Sequence, residues 1–174
     1  MIVEPAELPG VLKLRAMPVR DERGYFARTF CTRELAQAGI GMAFPQHGVA
    51  QNAIAGTVRG LHYTADAHPE AKIVRCTSGA IYDVVVDLRR DSPAYGTWAA
   101  FELRDPLEAL YVPHGFAHGY QTLEDDTHVS YLLSAFYDAQ HARGIRYDDP
   151  VLAIRWPLAV SAVSERDRGL PALR

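Results

Sequence analysis

The segment Ala80-Ile81-Tyr82-Asp83-Val84-Val85-Val86-Asp87-Leu88 is rich in branched residues and apolar on both of its alternating faces. Branched side chains are stiff about their first torsion and suit a pleated, packed surface. A strand that is apolar on both faces has to be covered on both sides, as in a sandwich or barrel. The neighbouring segments have the same character. Leu12 to Val19, Tyr25 to Phe30, Ile73 to Cys76, Thr97 to Leu103, Ala109 to Val112, His118 to Leu123 and Thr127 to Phe136 all read as short strands. Turn residues separate them at Asp21-Glu22-Arg23-Gly24, Thr77-Ser78-Gly79, Asp105-Pro106, Pro113-His114-Gly115 and Glu124-Asp125-Asp126. Strands this short and this regularly spaced predict an all-β fold, an antiparallel sandwich or jelly roll. Thr32 to Ala38 is the best short helix, with Thr32 as its cap and Gly39 ending it in the left-handed conformation. The polar tail from Ser164 has room for one helical turn.

With 174 residues and no linker or repeat, the sequence predicts one domain over residues 1–174. A net charge of −3 supplies no basic field, which argues against a nucleic-acid partner. No basic leader or apolar run of about 20 residues is present, so neither a signal peptide nor a membrane span is expected. Cys31 and Cys76 are too few for a disulfide framework and sit in no metal-type spacing. They read as reduced thiols of a cytoplasmic protein.

The chemistry concentrates around Arg59-Gly60-Leu61-His62-Tyr63, with Lys72 ten residues after His62. An imidazole takes a proton near neutral pH, and nearby cations hold an anion or an oxyanion that forms as the proton leaves. His62 and His118 stand out among the seven histidines because each lies among glycines and aromatics on a strand. Glycine at such a position marks close approach by a ligand or by another backbone. A catalytic metal is the first rival reading. The chain has no His-x-His, and a His114/His118 pair would straddle a Pro-Gly turn. There is no Gly-x-Ser-x-Gly elbow, no histidine near either cysteine in sequence, and no dinucleotide fingerprint. What remains is general acid–base work on a small molecule. Tyr131 and Tyr137 add phenols that either return a proton, stack on a ring, or pack in the core.

These residues fall into a wider pattern. Asp21-Glu22-Arg23-Gly24-Tyr25-Phe26, Gly56-Thr57-Val58-Arg59-Gly60-Leu61-His62-Tyr63, Ala71-Lys72-Ile73-Val74-Arg75-Cys76, Gly79 to Arg89, Pro113 to Gly119, Asp148-Asp149-Pro150, Ile154-Arg155-Trp156-Pro157 and Ser164-Glu165-Arg166-Asp167 follow one another in order. In that order and spacing the chain resembles the dTDP-4-dehydrorhamnose 3,5-epimerases over nearly its whole length. The resemblance implies a cupin-type jelly roll that uses neither metal nor cofactor. It also implies a nucleotide-linked 4-keto-6-deoxyhexose as substrate, in deoxysugar synthesis. His62 matches the base that removes a proton beside the ketone, Asp167 the carboxylate that pairs with it, Lys72 the cation at the enolate oxygen, and Tyr131 the acid on the opposite face. Arg59 and His118 fall on substrate-binding positions, Arg23 on an arginine for the nucleotide, and Tyr137 on the aromatic that stacks on the base. Family members are typically homodimers that exchange N-terminal strands and build part of the site from the partner.

The chain departs from that pattern on the nucleotide side. Arg28 stands where many members carry glutamate. His47 and Val49 fall on the usual Gln-x-Asn pair, while Gln51-Asn52 resembles a subgroup with asparagine ten residues before the histidine. Ala142 replaces a glutamate, and Arg166 replaces a lysine before Asp167. Arg28, Asn52 and Arg166 therefore join the expected substrate contacts. Arginine in place of glutamate reverses both charge and hydrogen-bond polarity, which puts thymine recognition and the number of carbons epimerised in question. A cupin-fold sugar-nucleotide binding protein without turnover is the alternative, and retention of His62, Lys72, Tyr131 and Asp167 stands against it.

Overall fold

The structure, a computed structural model, describes residues 1–173. The N-terminal part holds β1 (Ile2–Pro5), β2 (Leu12–Arg15), β3 (Pro18–Asp21), β4 (Gly24–Ala27) and α1 (Thr32–Gln37). The middle holds β5 (Gln46–Asn52), β6 (Val58–Thr64), β7 (Lys72–Ser78), β8 (Ile81–Asp87) and β9 (Trp98–Leu103). β10 (Glu108–Val112), β11 (Phe116–Thr122), β12 (Thr127–Leu133), β13 (Ala142–Gly144) and α2 (Glu165–Arg168) complete the order. The strands form a six-stranded sheet, β1-β2-β10-β7-β12-β5, a five-stranded sheet, β13-β6-β11-β8-β9, and the separate hairpin β3-β4. Every strand pair in these sheets is antiparallel.

The sandwich follows from the two-faced strands. Val85, Phe101, Leu103, Phe116 and Tyr120 of one sheet pack between the sheets on Val74, Cys76, Leu110, Val112 and Val129 of the other. The opposite face of β8 carries Val84 and Val86, which Ile145 and Leu152 of the C-terminal segment cover together with Leu61 and Ala117. On the outer side of the six-stranded sheet, Leu35 of α1, Ile40 and Phe44 cover Leu14, Ile73, Ala109 and Tyr111. Each fully buried aliphatic side chain contributes about 1.5–3 kcal/mol. Two of these layers, one on each side, cover β8 and leave it no solvent-facing side.

The C-terminal segment is bound by polar groups as well. Buried Asp149 accepts from the N–H groups of Val151, Leu152 and Leu173, and Gln121 clamps Leu158 by both its N–H and its carbonyl. The Asp148-Asp149-Pro150 and Ile154-Arg155-Trp156-Pro157 motifs are thus fastenings for the cover. Trp156 donates to the Tyr147 carbonyl.

Several expected boundaries moved. Leu12 to Val19 is two strands, because Pro18 has no N–H to continue a ladder and Ala16 turns inward to donate to the Leu107 carbonyl. The strand expected from Tyr25 to Phe30 stops at Ala27, and that expected to reach Phe136 stops at Leu133. Helix α1 is capped by Cys31 without a side-chain bond, and Thr32 is its first helical residue. Gly39 does take the left-handed conformation, at φ +85°. The tail forms its single turn as α2, where the Ser164 hydroxyl caps the N–H of Asp167.

Candidate active site

The strand register assembles the site. In the five-stranded sheet His62 lies directly opposite His118, and His118 lies opposite Val85. Residues opposite one another share a face, so both imidazoles point between the sheets with Val85. In the six-stranded sheet Lys72 lies opposite Leu133 and Tyr131 opposite Val74. Two-residue periodicity puts Lys72 and Tyr131 on one face, which also looks between the sheets. The result is a cleft of about 350 Å³ at one end of the sandwich, lined by Arg59, His62, Lys72, His118, Tyr131 and Tyr137 among others.

The glycines beside the histidines serve backbone approach. A Cβ on Gly60 would stand 2.6 Å from the Gly119 Cα, and one on Gly119 would stand 2.7 Å from the Arg59 carbonyl oxygen. Here β6 and β11 run closer than side chains permit, and the register shifts between His118 and Tyr120.

Asp167 reaches His62 from the C-terminal tail. Its Oδ1 lies 2.7 Å from His62 Nε2, and its Oδ2 accepts from the Gly60 N–H at 3.1 Å. The tail is held along β6, where the Val58 N–H donates to Ala162. Burial works to raise the Asp167 pKa, but the bonds from His62 and Gly60 outweigh it and hold the carboxyl below its usual range. The ionised carboxylate only accepts. In the neutral ring, His62 Nε2 therefore carries the proton, and Nδ1 keeps the lone pair that acts as a base.

A second imidazole–carboxylate pair lies behind the cleft. His118 Nε2 is 2.5 Å from Asp83 Oδ1, both side chains are buried, and Asp83 Oδ2 has no hydrogen-bond partner among the described residues. Burial pushes the Asp83 pKa up. The His118 ring meets Tyr131 edge-on at 6.2 Å. The Tyr131 phenol is pushed well above its ordinary pKa by burial and then by neighbouring Tyr120 and Asp83, with Arg59 opposing. It stays protonated across the physiological range and can donate to a strong carbon base.

Among the expected substrate contacts, Arg59, His118, Tyr137 and Arg166 line the cleft together with Lys72. Asn52 does not. It is buried and sits behind Arg59, its Oδ1 accepting from Arg59 Nε at 2.7 Å and from the Tyr120 hydroxyl at 3.2 Å. Arg23 lies at the tip of the β3-β4 hairpin, exposed and paired with Asp21. Arg28 pairs with Glu34 at 3.3 Å beside α1. Neither lines the cleft of its own chain. Asp83, Glu70 and Arg143 were missed as site residues. Glu70 is ion-paired with Lys72, and Arg143 adds a third guanidinium to the lining. Asp83 carried a readable signal, since a carboxylate in a strand covered on both sides needs a partner.

The chain matches known proteins over nearly its whole length. A sequence profile described as dTDP-4-dehydrorhamnose 3,5-epimerase matches residues 5–174. The chain belongs to the dTDP-4-dehydrorhamnose 3,5-epimerase family. A relative of that name from Sinorhizobium fredii is 39% identical over 99% of this chain and 90% of its own. The dTDP-4-dehydrorhamnose 3-epimerase of Streptomyces niveus is 35% identical over 97% of this chain and 82% of its own. The crystal structure of the Bacillus anthracis 3,5-epimerase, with TDP and PPi bound, superposes with a TM-score of 0.95 at 38% identity, covering 99% of both chains. Membership makes the fold a cupin-type jelly roll and the chain an epimerase, an enzyme of the isomerase class. Among the described residues no helix is long and apolar enough to cross a membrane.

Proposed function

We propose that this epimerase inverts C3, C5 or both of a nucleotide-linked 4-keto-6-deoxyhexose, with dTDP as the carrier, in deoxysugar synthesis. The observation that carries the reading is the His62–Asp167 pair at 2.7 Å in a cleft that also holds Tyr131 and Lys72. The ketone at C4 acidifies the neighbouring C–H bonds. His62 Nδ1 removes such a proton, and Asp167 stabilises the imidazolium that forms. The electrons move to the C4 oxygen, where the Lys72 ammonium meets the charge. Tyr131 then protonates the carbon from the other face, and solvent restores the phenol and clears the imidazolium. Arg59 and Arg166, with Arg143 beside them, hold the diphosphate, and His118 contacts the sugar. Tyr137 at the exposed mouth stacks on the base. The TDP bound to the B. anthracis relative supports this class of ligand.

The working unit is a homodimer of single-domain chains, and it acts in the cytoplasm, in keeping with the free thiols of Cys31 and Cys76. Among the described residues the β3-β4 hairpin pairs only with itself, and it exposes Val19 and Phe26. In the dimer it carries Arg23 to the partner's cleft, and Arg28 approaches the nucleotide from the same side. A monomeric mass at micromolar concentration overturns this part.

The reaction is tested by incubating the enzyme with dTDP-4-keto-6-deoxyglucose in heavy water and following the sugar by NMR. Deuterium at two carbons indicates a 3,5-epimerase and at one carbon a mono-epimerase. No incorporation refutes the activity, and incorporation retained in His62→Ala refutes the assignment of the base.

A further inference from the structure

At the rim of the cleft two loops meet through histidines that the epimerase reading leaves unused. His68 follows β6, and His141 precedes β13. A backbone bond joins the loops, the Ala65 N–H donating to the His141 carbonyl, and within the first loop the His68 N–H donates to the Ala65 carbonyl. The two imidazoles stack nearly parallel, with centroids 5.3 Å apart. Asp138 completes the group, its Oδ2 lying 2.8 Å from His141 Nδ1. One donor atom from each of the three residues lies within 4.8 Å of the other two, and all three residues are half-buried.

We propose that His68, Asp138 and His141 bind a divalent transition-metal ion of the zinc class. Around a tetrahedral ion with bonds of about 2.0–2.2 Å, neighbouring donors stand about 3.3–3.5 Å apart. The Asp138–His141 contact is already inside that spacing, and small side-chain rotations close the rest. The surroundings are those of a metal site. His68 Nε2 lies 2.8 Å from the Phe136 carbonyl, which only accepts, so Nε2 holds the proton and Nδ1 keeps its lone pair. A ligating histidine is ordinarily oriented through its other nitrogen in this way. Asp138 Oδ1 accepts from the Gln140 N–H at 2.8 Å, which fixes the carboxylate. Two imidazoles and one carboxylate, without thiolate, suit Zn²⁺, Ni²⁺ or Cu²⁺ over Mg²⁺ or Ca²⁺.

The ion would tie the loop after β6 to the segment that carries Tyr137 at the cleft mouth. Asp138 itself lines the cleft. Metal binding therefore fixes the position of Tyr137, and this consequence rests on the epimerase reading. The metal site itself does not.

The test uses untagged full-length protein, stripped with chelator and free of sugar nucleotide. Zinc is titrated by calorimetry and cobalt(II) by its visible absorption. One ion per chain is expected, with micromolar or tighter affinity and the absorption of a nitrogen- and oxygen-ligated cobalt centre. His68→Ala and His141→Gln should each weaken binding by at least about tenfold, while His128→Ala, at a half-buried histidine elsewhere, should not. Zinc should raise the melting temperature of the wild type and not of His141→Gln. The absence of saturable binding overturns the proposal, as does equal affinity in the His68 and His141 variants. Neither outcome touches deuterium exchange, so failure of the metal site and failure of the epimerase assignment are separately visible.

Discussion

Replacing Asp167 by asparagine should slow the reaction by orders of magnitude while leaving the fold intact. Asp167 serves two donors, His62 Nε2 at 2.7 Å and the Gly60 N–H at 3.1 Å. Asparagine is the same size but has one acceptor to offer. The Gly60 N–H is fixed backbone, whereas an imidazole can move its proton. The amide oxygen therefore faces Gly60 and the amide nitrogen faces His62. His62 must then accept at Nε2, its proton moves to Nδ1, and the lone pair facing the cleft is lost. A charge-assisted hydrogen bond of about 1.5–3 kcal/mol goes with it. So does the attraction between imidazolium and carboxylate, about 4 kcal/mol at an effective dielectric of 20. Because the His62 side chain is 38% exposed, solvent reduces that attraction to about 1–2 kcal/mol. Together these amount to about 2.5–5 kcal/mol, a fall of about 10²- to 10⁴-fold in rate. The same change behind the catalytic histidine of a serine protease lowers kcat about 10⁴-fold. The assay is the initial rate of deuterium incorporation in heavy water, measured beside the melting temperature. The loss should appear in kcat and not in KM, since Asp167 does not line the cleft. An Asp167→Asn enzyme that folds normally and exchanges within tenfold of the wild type refutes the tautomer assignment.

Four further outcomes follow from the geometry. Asn52→Ala should raise KM for the sugar nucleotide, because it frees Arg59 from its 2.7 Å anchor; an unchanged KM in a folded variant would show that Asn52 does not position Arg59. Gly119→Ala should lower both stability and activity, since its Cβ would stand 2.7 Å from the Arg59 carbonyl, and a wild-type melting curve would contradict the close approach of β6 and β11. Burial works to raise the pKa of the Asp87 carboxyl, but the bonds it accepts from Arg89 and Ser92 outweigh burial and hold it below the usual carboxylate range, so Asp87→Asn should cost about 1.5–3 kcal/mol at neutral pH. A carboxyl with a lowered folded pKa contributes stability above its unfolded value and loses it as pH falls through the folded one, so this difference should shrink as the pH falls below the usual carboxylate range, and a constant gap would refute the assignment. Burial pushes the Cys76 thiol up to about 11, so a thiol reagent at pH 8 should modify half-buried Cys31 and leave Cys76 until the protein is denatured; modification of both in the native state would contradict the packing.

Much of the fold was legible along the chain because short apolar runs are broken at regular intervals by turn residues. The interiors of β7, β8, β9, β10, β11 and β12 read correctly. β1, β5 and β13 did not stand out. Their residues are mostly half-buried or exposed, so burial had not imprinted a pattern on them. The site divides in the same way. His62, Lys72 and His118 were conspicuous among glycines and charges on strands. Asp83 sat in an apolar run, and only its side-chain bond to His118, two residues from its register partner Tyr120, gives it a purpose. Asn52 was expected at the substrate, but its role depends on which way a buried amide faces.

The sequence by itself determined the strand-rich architecture, since two-faced apolar strands have no other way to leave water. It also contained every group that proton transfer needs. The tertiary structure alone decided which of those groups meet. Asp167 is 105 residues from His62, and nothing local joins them. They meet because the C-terminal cover is fastened by Gln121 and Asp149 and laid along β6. Lys72 and Tyr131 face His62 only because two sheets with their own registers close on one core. A proton-transfer site needs its donors and acceptors within a few tenths of an ångström, and that precision comes from the packing of the two sheets against each other.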